Sequence, residues 1–232
     1  MARPLGTTTS TINNLALKVS QFWLSNWRLW VLIIVHVVGV IGLSQQAPIR
    51  DMFLWLTPVN LLLTLYLFVG AAEGRTGRQI GLLVLIGVLG FLVEVAGVHT
   101  GLIFGNYWYG ASLGFKVVHV PVVIGVNWVI LVYAMTCWLG KLGLSGVWRA
   151  ILGAVLLTAL DWVMEPVAVS LDFWQWQQNT IPVRNYIGWF GTSFTLLLLS
   201  GQLEPKWKNK LAGSVLLIEL LFFVILRLLL LT

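Results

Sequence analysis

The sequence predicts an all-α protein, a polytopic transmembrane helical bundle of about seven spans. Of its 232 residues, 59% are hydrophobic and only 9% are charged, whereas soluble domains carry about 25% charged residues. Seven apolar runs approach the roughly 20 residues that cross a bilayer as a helix. These runs are Leu29–Leu43, Phe53–Ala72, Ile80–Val98, Val117–Leu139, Ile151–Val169, Ile187–Leu199 and Leu211–Leu231.

Taken in order, the elements divide into a polar arm over residues 1–27 and a transmembrane domain over residues 28–232. The first and sixth runs are short, and the other five approach full spanning length. The fifth run contains Pro166, which is expected to kink the helix and to free backbone carbonyls. We expect no cleavable signal sequence, since residues 1–27 are polar and the first apolar run lacks a small-residue cleavage site.

The distribution of basic residues predicts the orientation of the chain in the membrane. The net charge is +6, but the basic residues are scattered among the connections without a basic stripe, so we expect no nucleic-acid partner. With the spans above, ten Lys and Arg residues lie on the side of the amino terminus and four lie on the other side. Cytoplasmic segments of membrane proteins are enriched in Lys and Arg. The amino terminus is therefore predicted to be cytoplasmic.

Two connections on the predicted outer side, Thr100–Lys116 and Leu171–Arg184, are long and rich in aromatic residues, Gly, Asn and Gln. We interpret them as interfacial or partly re-entrant segments, because Trp and Tyr favour the headgroup level. The similar pentapeptides at 106–110 and 185–189 are interpreted as coincidence, with a relic of a repeat as the alternative. The single cysteine, Cys137, allows no internal disulfide.

Ionisable side chains inside a membrane are costly and therefore mark candidate functional sites. Nine polar residues, including one amide and one phenol, are predicted near the outer face of the membrane. They are Glu94, His99, His119, Asn127, Asp161, Glu165, Asp172, Arg184 and Tyr186. Asp161 and Glu165 are four residues apart and share a helical face. Two carboxylates at low dielectric repel, so one of them is expected to keep its proton.

Packing roles are the competing interpretation for several of these residues. Glu94 and His99 can form a hydrogen-bonded packing pair, and Arg184 can anchor at the interface or balance Asp172 or Glu165. His36 is interpreted as a core histidine. Glu219 and Arg227, about two turns apart, are interpreted as structural.

Aromatic residues are abundant, with 13 Trp in the chain. Six of them are predicted near the same outer region, where they form an interfacial belt or line a pocket that stabilises a cation. They are Trp108, Trp128, Trp162, Trp174, Trp176 and Trp189.

Several classes of membrane protein do not fit. The last span holds no lysine for retinal, and three histidines are too few for a di-iron desaturase. A metal site built from Glu94, His99, His119, Asp161 and Glu165 has enough ligands but no tight spacing. A proton-coupled transporter remains an alternative, because buried carboxylates and Pro-interrupted helices suit such carriers.

Specific motifs point to one family. The run from Glu94 to Tyr109, the stretch from Pro121 to Trp128, and the block from Asp161 to Trp176 resemble the membrane-integral carotenoid biosynthesis proteins. The resemblance covers about residues 50–230. These relatives include cofactor-independent hydratases that act on the acyclic ψ-end groups of bisanhydrobacterioruberin, lycopene or γ-carotene.

The resemblance implies a carotenoid 1,2-hydratase that adds water to the terminal C1=C2 bond and leaves a tertiary alcohol. Protonation at C2 would give a cation at C1 that water captures, with no cofactor and no metal. The implied catalytic residues are Asp161 or Glu165 as acid and Glu94 or His99 as base. The implied substrate-binding residues are Asn106, Tyr107, Trp108, His119, Asn127, Trp128, Trp162, Asp172, Trp174, Trp176 and Arg184.

The expected setting is the cell membrane, as a multi-pass protein. Its expected partners are an acyclic carotenoid, the lipid bilayer and other enzymes of carotenoid biosynthesis. A membrane carrier of a lipid-like molecule, or a proton-coupled transporter, is the alternative function.

Overall fold

A computed structural model describes residues 26–74, 76–144, 146–203 and 207–231. The polar arm predicted over residues 1–27 lies almost entirely outside the described residues. Seven α-helices occupy the described part of the chain. They are α1 (Trp27–Leu43), α2 (Ile49–Gly70), α3 (Gly77–Thr100), α4 (Val123–Leu139), α5 (Gly146–Ser170), α6 (Val183–Leu203) and α7 (Ala212–Leu231).

The all-α bundle is confirmed, and each predicted apolar run overlaps with a helix. Five helices are long and apolar enough to cross a membrane: α2, α3, α5, α7, and α4 with the 3₁₀ turn Gly140–Leu142 that extends it. The helix α1 is apolar but shorter. The cytoplasmic placement of the amino terminus stays a prediction.

The helix α4 forms the centre of the bundle. It contacts α2, α3, α5, α6 and α7, and nearly all of its residues are buried. A helix that is apolar on all sides is expected in such a position. The other helices surround it, with α1 packed between α2 and α7 and with α5 packed along α6.

Small residues bring α3 against α4. A Cβ atom added at Gly90 would lie 2.6 Å from the Trp128 side chain, and one added at Gly125 would lie 2.8 Å from the Gly87 carbonyl oxygen. Such small-residue contacts let membrane helices approach closely. Glu94 follows Gly90 by one helical turn, so this contact sets Glu94 beside Trp128.

Four short strands lie between the helices, in the two long connections and at the start of the predicted fourth span. Strand β1 (Tyr107–Tyr109) pairs antiparallel with β4 (Trp174–Trp176), and β2 (Lys116–Val117) pairs with β3 (Val120–Pro121). The first pair joins the α3–α4 connection to the α5–α6 connection. We call this two-stranded pair the aromatic ribbon.

The fourth predicted span begins later than expected. Residues 117–122 were predicted to be helical, but they form the β2–β3 hairpin and its exit, and α4 starts at Val123. Val118 and His119 occupy the turn with positive φ angles of 50° and 64°. Pro121 disfavours helical backbone in the residue before it, which explains why the helix cannot extend further back.

Candidate active site

A cavity of about 350 Å³ lies inside the bundle. Its wall is mostly apolar, and acidic, amide and aromatic side chains interrupt it. The polar and aromatic groups of the wall include His36, Thr57, Asn60, Glu94, Tyr107, Tyr109, Asn127, Trp128, Glu165, Trp174, Trp176, Asn185, Trp189 and Glu219. Ligand pockets are commonly of about this size or larger, with a few placed polar groups in an apolar wall.

Glu94 is buried on α3 and accepts three hydrogen bonds. The hydroxyls of Tyr107 and Tyr109 donate to Glu94 Oε2 at 2.6 and 2.8 Å, and Trp128 Nε1 donates to Oε1 at 3.1 Å. Burial, reinforced by the neighbouring Glu94 carboxylate, raises the pKa of both tyrosine hydroxyls well above the usual range. Both tyrosines therefore stay protonated and able to donate.

Glu165 is buried on α5 and accepts three hydrogen bonds from N–H groups. The indoles of Trp174 and Trp176 donate to Glu165 Oε2 at 3.0 and 2.9 Å. The amide of Asn185 donates to Glu165 Oε1 at 3.0 Å. These N–H groups cannot accept a hydrogen bond from a protonated Glu165, so the three donors favour the ionised carboxylate.

The aromatic ribbon supplies four of these donors. Side chains alternate between the faces of a strand, so Tyr107 and Tyr109 share one face of β1, and Trp174 and Trp176 share one face of β4. Tyr107 pairs with Trp176 in the register, and their ring centroids are 5.2 Å apart. One small ribbon thus holds donors over two acids from different helices.

Asp161 lies behind this wall. It is fully buried, and its Oδ2 accepts a 2.7 Å hydrogen bond from the same Asn185 amide that reaches Glu165. Its Oδ1 has no hydrogen-bond partner among the described residues. Asp161 does not line the cavity. It is linked to the cavity wall by its hydrogen bond to Asn185, which also bonds to Glu165.

Of the fifteen predicted site residues, the structure places seven in the cavity wall: Glu94, Tyr107, Asn127, Trp128, Glu165, Trp174 and Trp176. Seven others do not line it, and these are His99, Asn106, Trp108, His119, Trp162, Asp172 and Arg184.

Helical geometry explains the position of His99. Five residues after Glu94 correspond to about 140° around a helix, so His99 faces away from the cavity. It is exposed, its Nε2 donates to the Val118 carbonyl oxygen at 3.3 Å, and its ring lies 5.8 Å from that of His119. His119 is exposed in the hairpin turn. The expected Glu94–His99 pair does not form.

The other displaced residues also have specific causes. Trp108 alternates with its strand neighbours and points outward, 52% exposed. Trp162 is exposed and stacks under the Arg227 guanidinium, 4.7 Å from the ring centroid. Arg184 donates to the Gly101 carbonyl oxygen at 3.4 Å and not to a carboxylate.

The remaining two of these residues lie at the surface. Asp172 is exposed and accepts a hydrogen bond from Gln175. Asn106 is exposed, and its backbone oxygen accepts from Gln177.

Sequence reasoning missed four residues that contribute to the wall. Asn185 bridges two acids, Tyr109 is the second donor to Glu94, and His36 and Glu219 face the same cavity as the acids. The alternation Tyr107-Trp108-Tyr109 and Trp174-Gln175-Trp176 was the available signal for the ribbon. In the described residues, no group of three or more His, Cys, Asp or Glu side chains is arranged to hold a metal ion.

Fold and site together define a helical membrane protein with a largely apolar cavity that buried acids face. The chain belongs to the carotenoid biosynthesis protein family, whose model matches residues 53–232. The helix α1, which carries His36, precedes the matched stretch.

A relative with an assigned activity is the bisanhydrobacterioruberin hydratase of Haloarcula japonica, which is 27% identical over 136 residues. The match covers 53% of this chain and 45% of the relative, so this chain spans less than half of the length of that protein. No solved structure matches the chain.

Proposed function

We propose that this protein is a carotenoid hydratase of the cell membrane that adds water across the C1=C2 bond of an acyclic ψ-end group. The observation that carries the proposal is one apolar cavity in which two of the acids that face it, Glu94 and Glu165, are each held by three donors. Family membership and the name of the Haloarcula relative support a carotenoid as the ligand.

Glu94 suits the role of general acid. Its Oε2 is bonded to tyrosine hydroxyls, which can donate to a carboxylate or accept from a carboxylic acid. Glu94 therefore has satisfied hydrogen bonds with and without its proton. In the proposed first step the proton passes to C2, the π electrons of C1=C2 form the new C–H bond, and a tertiary cation remains at C1.

Aromatic rings line the cavity in which that cation would form. Trp128 and Trp189 stack with centroids 4.6 Å apart, and both line the cavity together with the ribbon aromatics. The negative faces of such rings attract a cation, and the attraction is strongest where water is excluded. Among the described residues, His36 is the one basic side chain that lines this wall.

Glu165 suits the role of general base. Three N–H donors stabilise its ionised form, and Oε1 carries only one of them, which leaves a lone pair available. Water attacks C1, the C–O bond forms, and the released proton goes to Glu165. The proton returns to Glu94 through cavity water before the next turnover. Asp161 acts as a positioning residue through Asn185.

The cavity accommodates an end group and not a whole carotenoid. Four residues of its wall, Ile34, Val38, Leu56 and Val59, are also 45–58% exposed on the outside of α1 and α2. The cavity therefore opens sideways towards the bilayer between these helices. The polyene remains in lipid while its ψ end reaches the acids, and a C40 chain is about as long as the bilayer is thick.

The direct test is expression in cells that accumulate lycopene or bisanhydrobacterioruberin, followed by mass analysis of the pigments. We expect a gain of one water per reacting ψ end. In oxygen-labelled water the new hydroxyl carries the label, and in heavy water C2 gains one non-exchangeable deuterium. Unchanged pigments with every acyclic substrate would refute the proposal and favour a carrier.

Matched variants test the roles. Glu94→Gln and Glu165→Gln should each abolish product while the protein still accumulates in membranes, whereas Glu73→Gln, at an exposed position, should leave the yield unchanged. Asp161→Asn should lower the yield, because it changes the group behind Glu165. Full activity in either glutamine variant would remove that glutamate from the catalytic set.

A further inference from the structure

A second polar pair faces the cavity from the wall formed by α1 and α7. His36 and Glu219 are both buried, and both line the cavity. His36 Nδ1 donates to the Leu32 carbonyl oxygen at 2.7 Å, and Phe222 packs against the ring edge-to-face at 5.6 Å. These contacts fix the ring and direct Nε2 towards Glu219.

The two groups are close enough to share one oxygen atom as a hydrogen-bond partner. His36 Nε2 and Glu219 Oε1 are 3.8 Å apart, which is too far for a direct hydrogen bond. An oxygen at ordinary hydrogen-bonding distance from both atoms would lie to one side of the line that joins them, and both residues line the cavity. On the adjacent α2, Asn60 also lines the cavity, and its Oδ1 is buried without a hydrogen-bond partner in the described structure. Buried polar groups of this kind usually bind water or a ligand.

We propose that His36 and Glu219 form a hydroxyl-binding subsite that holds one O–H group between imidazole and carboxyl. A hydroxyl both donates and accepts, so it fits whichever of the two partners carries the proton. The subsite rests on the proposed function, since hydration consumes one hydroxyl compound, water, and makes another, a tertiary alcohol. Either source presents the same chemistry to the pair.

The first experiment measures binding and needs no turnover. The double variant His36→Phe/Glu219→Leu removes both partners, so no charge is left unpaired in the membrane, and it keeps a ring against Phe222. The protein is purified from cells that hold a ψ-end hydrocarbon together with its hydrated alcohol, and the retained pigment is counted per protein. We expect the wild type to retain the alcohol about tenfold better and the double variant to lose this preference.

A matched control removes a buried polar pair that does not line the cavity. Thr136 Oγ1 and Ser200 Oγ are 2.8 Å apart between α4 and α6. Thr136→Val/Ser200→Ala should therefore keep the wild-type preference for the alcohol.

The second experiment separates the two sources of the hydroxyl. If water is the occupant, wild type and double variant retain the two pigments alike, but the double variant hydrates the hydrocarbon at least tenfold more slowly. Equal retention together with equal hydration overturns the subsite. A wild type that prefers the alcohol yet hydrates no pigment refutes the proposed function and leaves the subsite standing.

Should the double variant fail to accumulate, Glu219→Gln provides the same two measurements with the native shape retained. We expect a smaller loss of preference or of rate, because the amide still bonds a hydroxyl but cannot take its proton. Wild-type values in both measurements would overturn the subsite.

Discussion

Removal of the two tyrosine hydroxyls that donate to Glu94 gives a quantitative test of the proposed role of Glu94 as the acid. When Glu94 releases its proton, the hydrogen bonds from Tyr107 and Tyr109 to Oε2, 2.6 and 2.8 Å long, strengthen on the developing carboxylate. Interactions that strengthen in the transition state increase the rate of the chemical step. The variants Tyr107→Phe and Tyr109→Phe keep the rings and remove only the hydroxyls.

The expected magnitude follows from the number of bonds. A hydrogen bond to a charged group contributes about 1.5–3 kcal/mol, and each 1.36 kcal/mol corresponds to about tenfold in rate. Each single variant retains one hydroxyl on Oε2, so we expect a loss near the lower limit, about tenfold. The double variant leaves Oε2 with no donor, and its loss should exceed the product of the two single losses.

The assay is the initial rate of alcohol formation in membranes that contain equal amounts of each variant, arranged as a double-mutant cycle. Tyr66→Phe is the matched control, because Tyr66 is 73% exposed on the outside of α2. A double variant no slower than the slower single variant would refute the shared role of the hydroxyls. Wild-type rates in all three variants would remove Glu94 from the acid step.

Two further perturbations test how the fold serves the site. Gly90→Ala places a Cβ 2.6 Å from Trp128, so we expect the free energy of unfolding in detergent to fall by about 1–3 kcal/mol and the hydratase activity to fall with it. The control is Gly81→Ala, which lies on the same helix with open space around it and should be neutral or slightly stabilising. Val59→Trp at the sideways opening should slow hydration of long carotenoids severalfold. Val155→Trp, which is also exposed on a helix but does not line the cavity, should not slow it. Equal rates in the two tryptophan variants would contradict entry between α1 and α2.

The helices could be predicted because a membrane span has a simple requirement, about 20 apolar residues in sequence. The exception is the start of α4. Residues 117–122 are apolar enough to continue a span, and only the local chemistry of Pro121 indicated the hairpin. Composition alone therefore locates a span but does not determine its first turn.

The site was only partly predictable from the sequence. Residues predicted near the outer face were selected mainly by charge, but their direction around a helix or across a strand decides which of them meet. His99 and Trp108 face away for this reason, although both periodicities were available in the sequence. Asn185 was noted only as part of the pentapeptide at 185–189, and its contacts with Asp161 and Glu165 span 24 and 20 residues, which no local pattern indicates.

The pairing of residues from distant helices could not be predicted from the sequence either. His36 and Glu219 were interpreted separately as structural residues, and Arg227 was placed with Glu219 because the two share a helix. The structure brings His36 to Glu219 across α1 and α7 and leaves Arg227 over the Trp162 ring. Spacing along α7 could not identify the partner of Glu219, since His36 lies on a different helix.

The aromatic ribbon has a consequence for how such a site can change. Because β1 and β4 share one register, an insertion or a one-residue slip in either connection would turn the donor face away from Glu94 and Glu165 at the same time. The two acids are therefore mechanically linked, although they belong to different helices. Variation in substrate preference is easier to accommodate on the opposite wall, where α1 and α2 border the lipid and carry none of these donors.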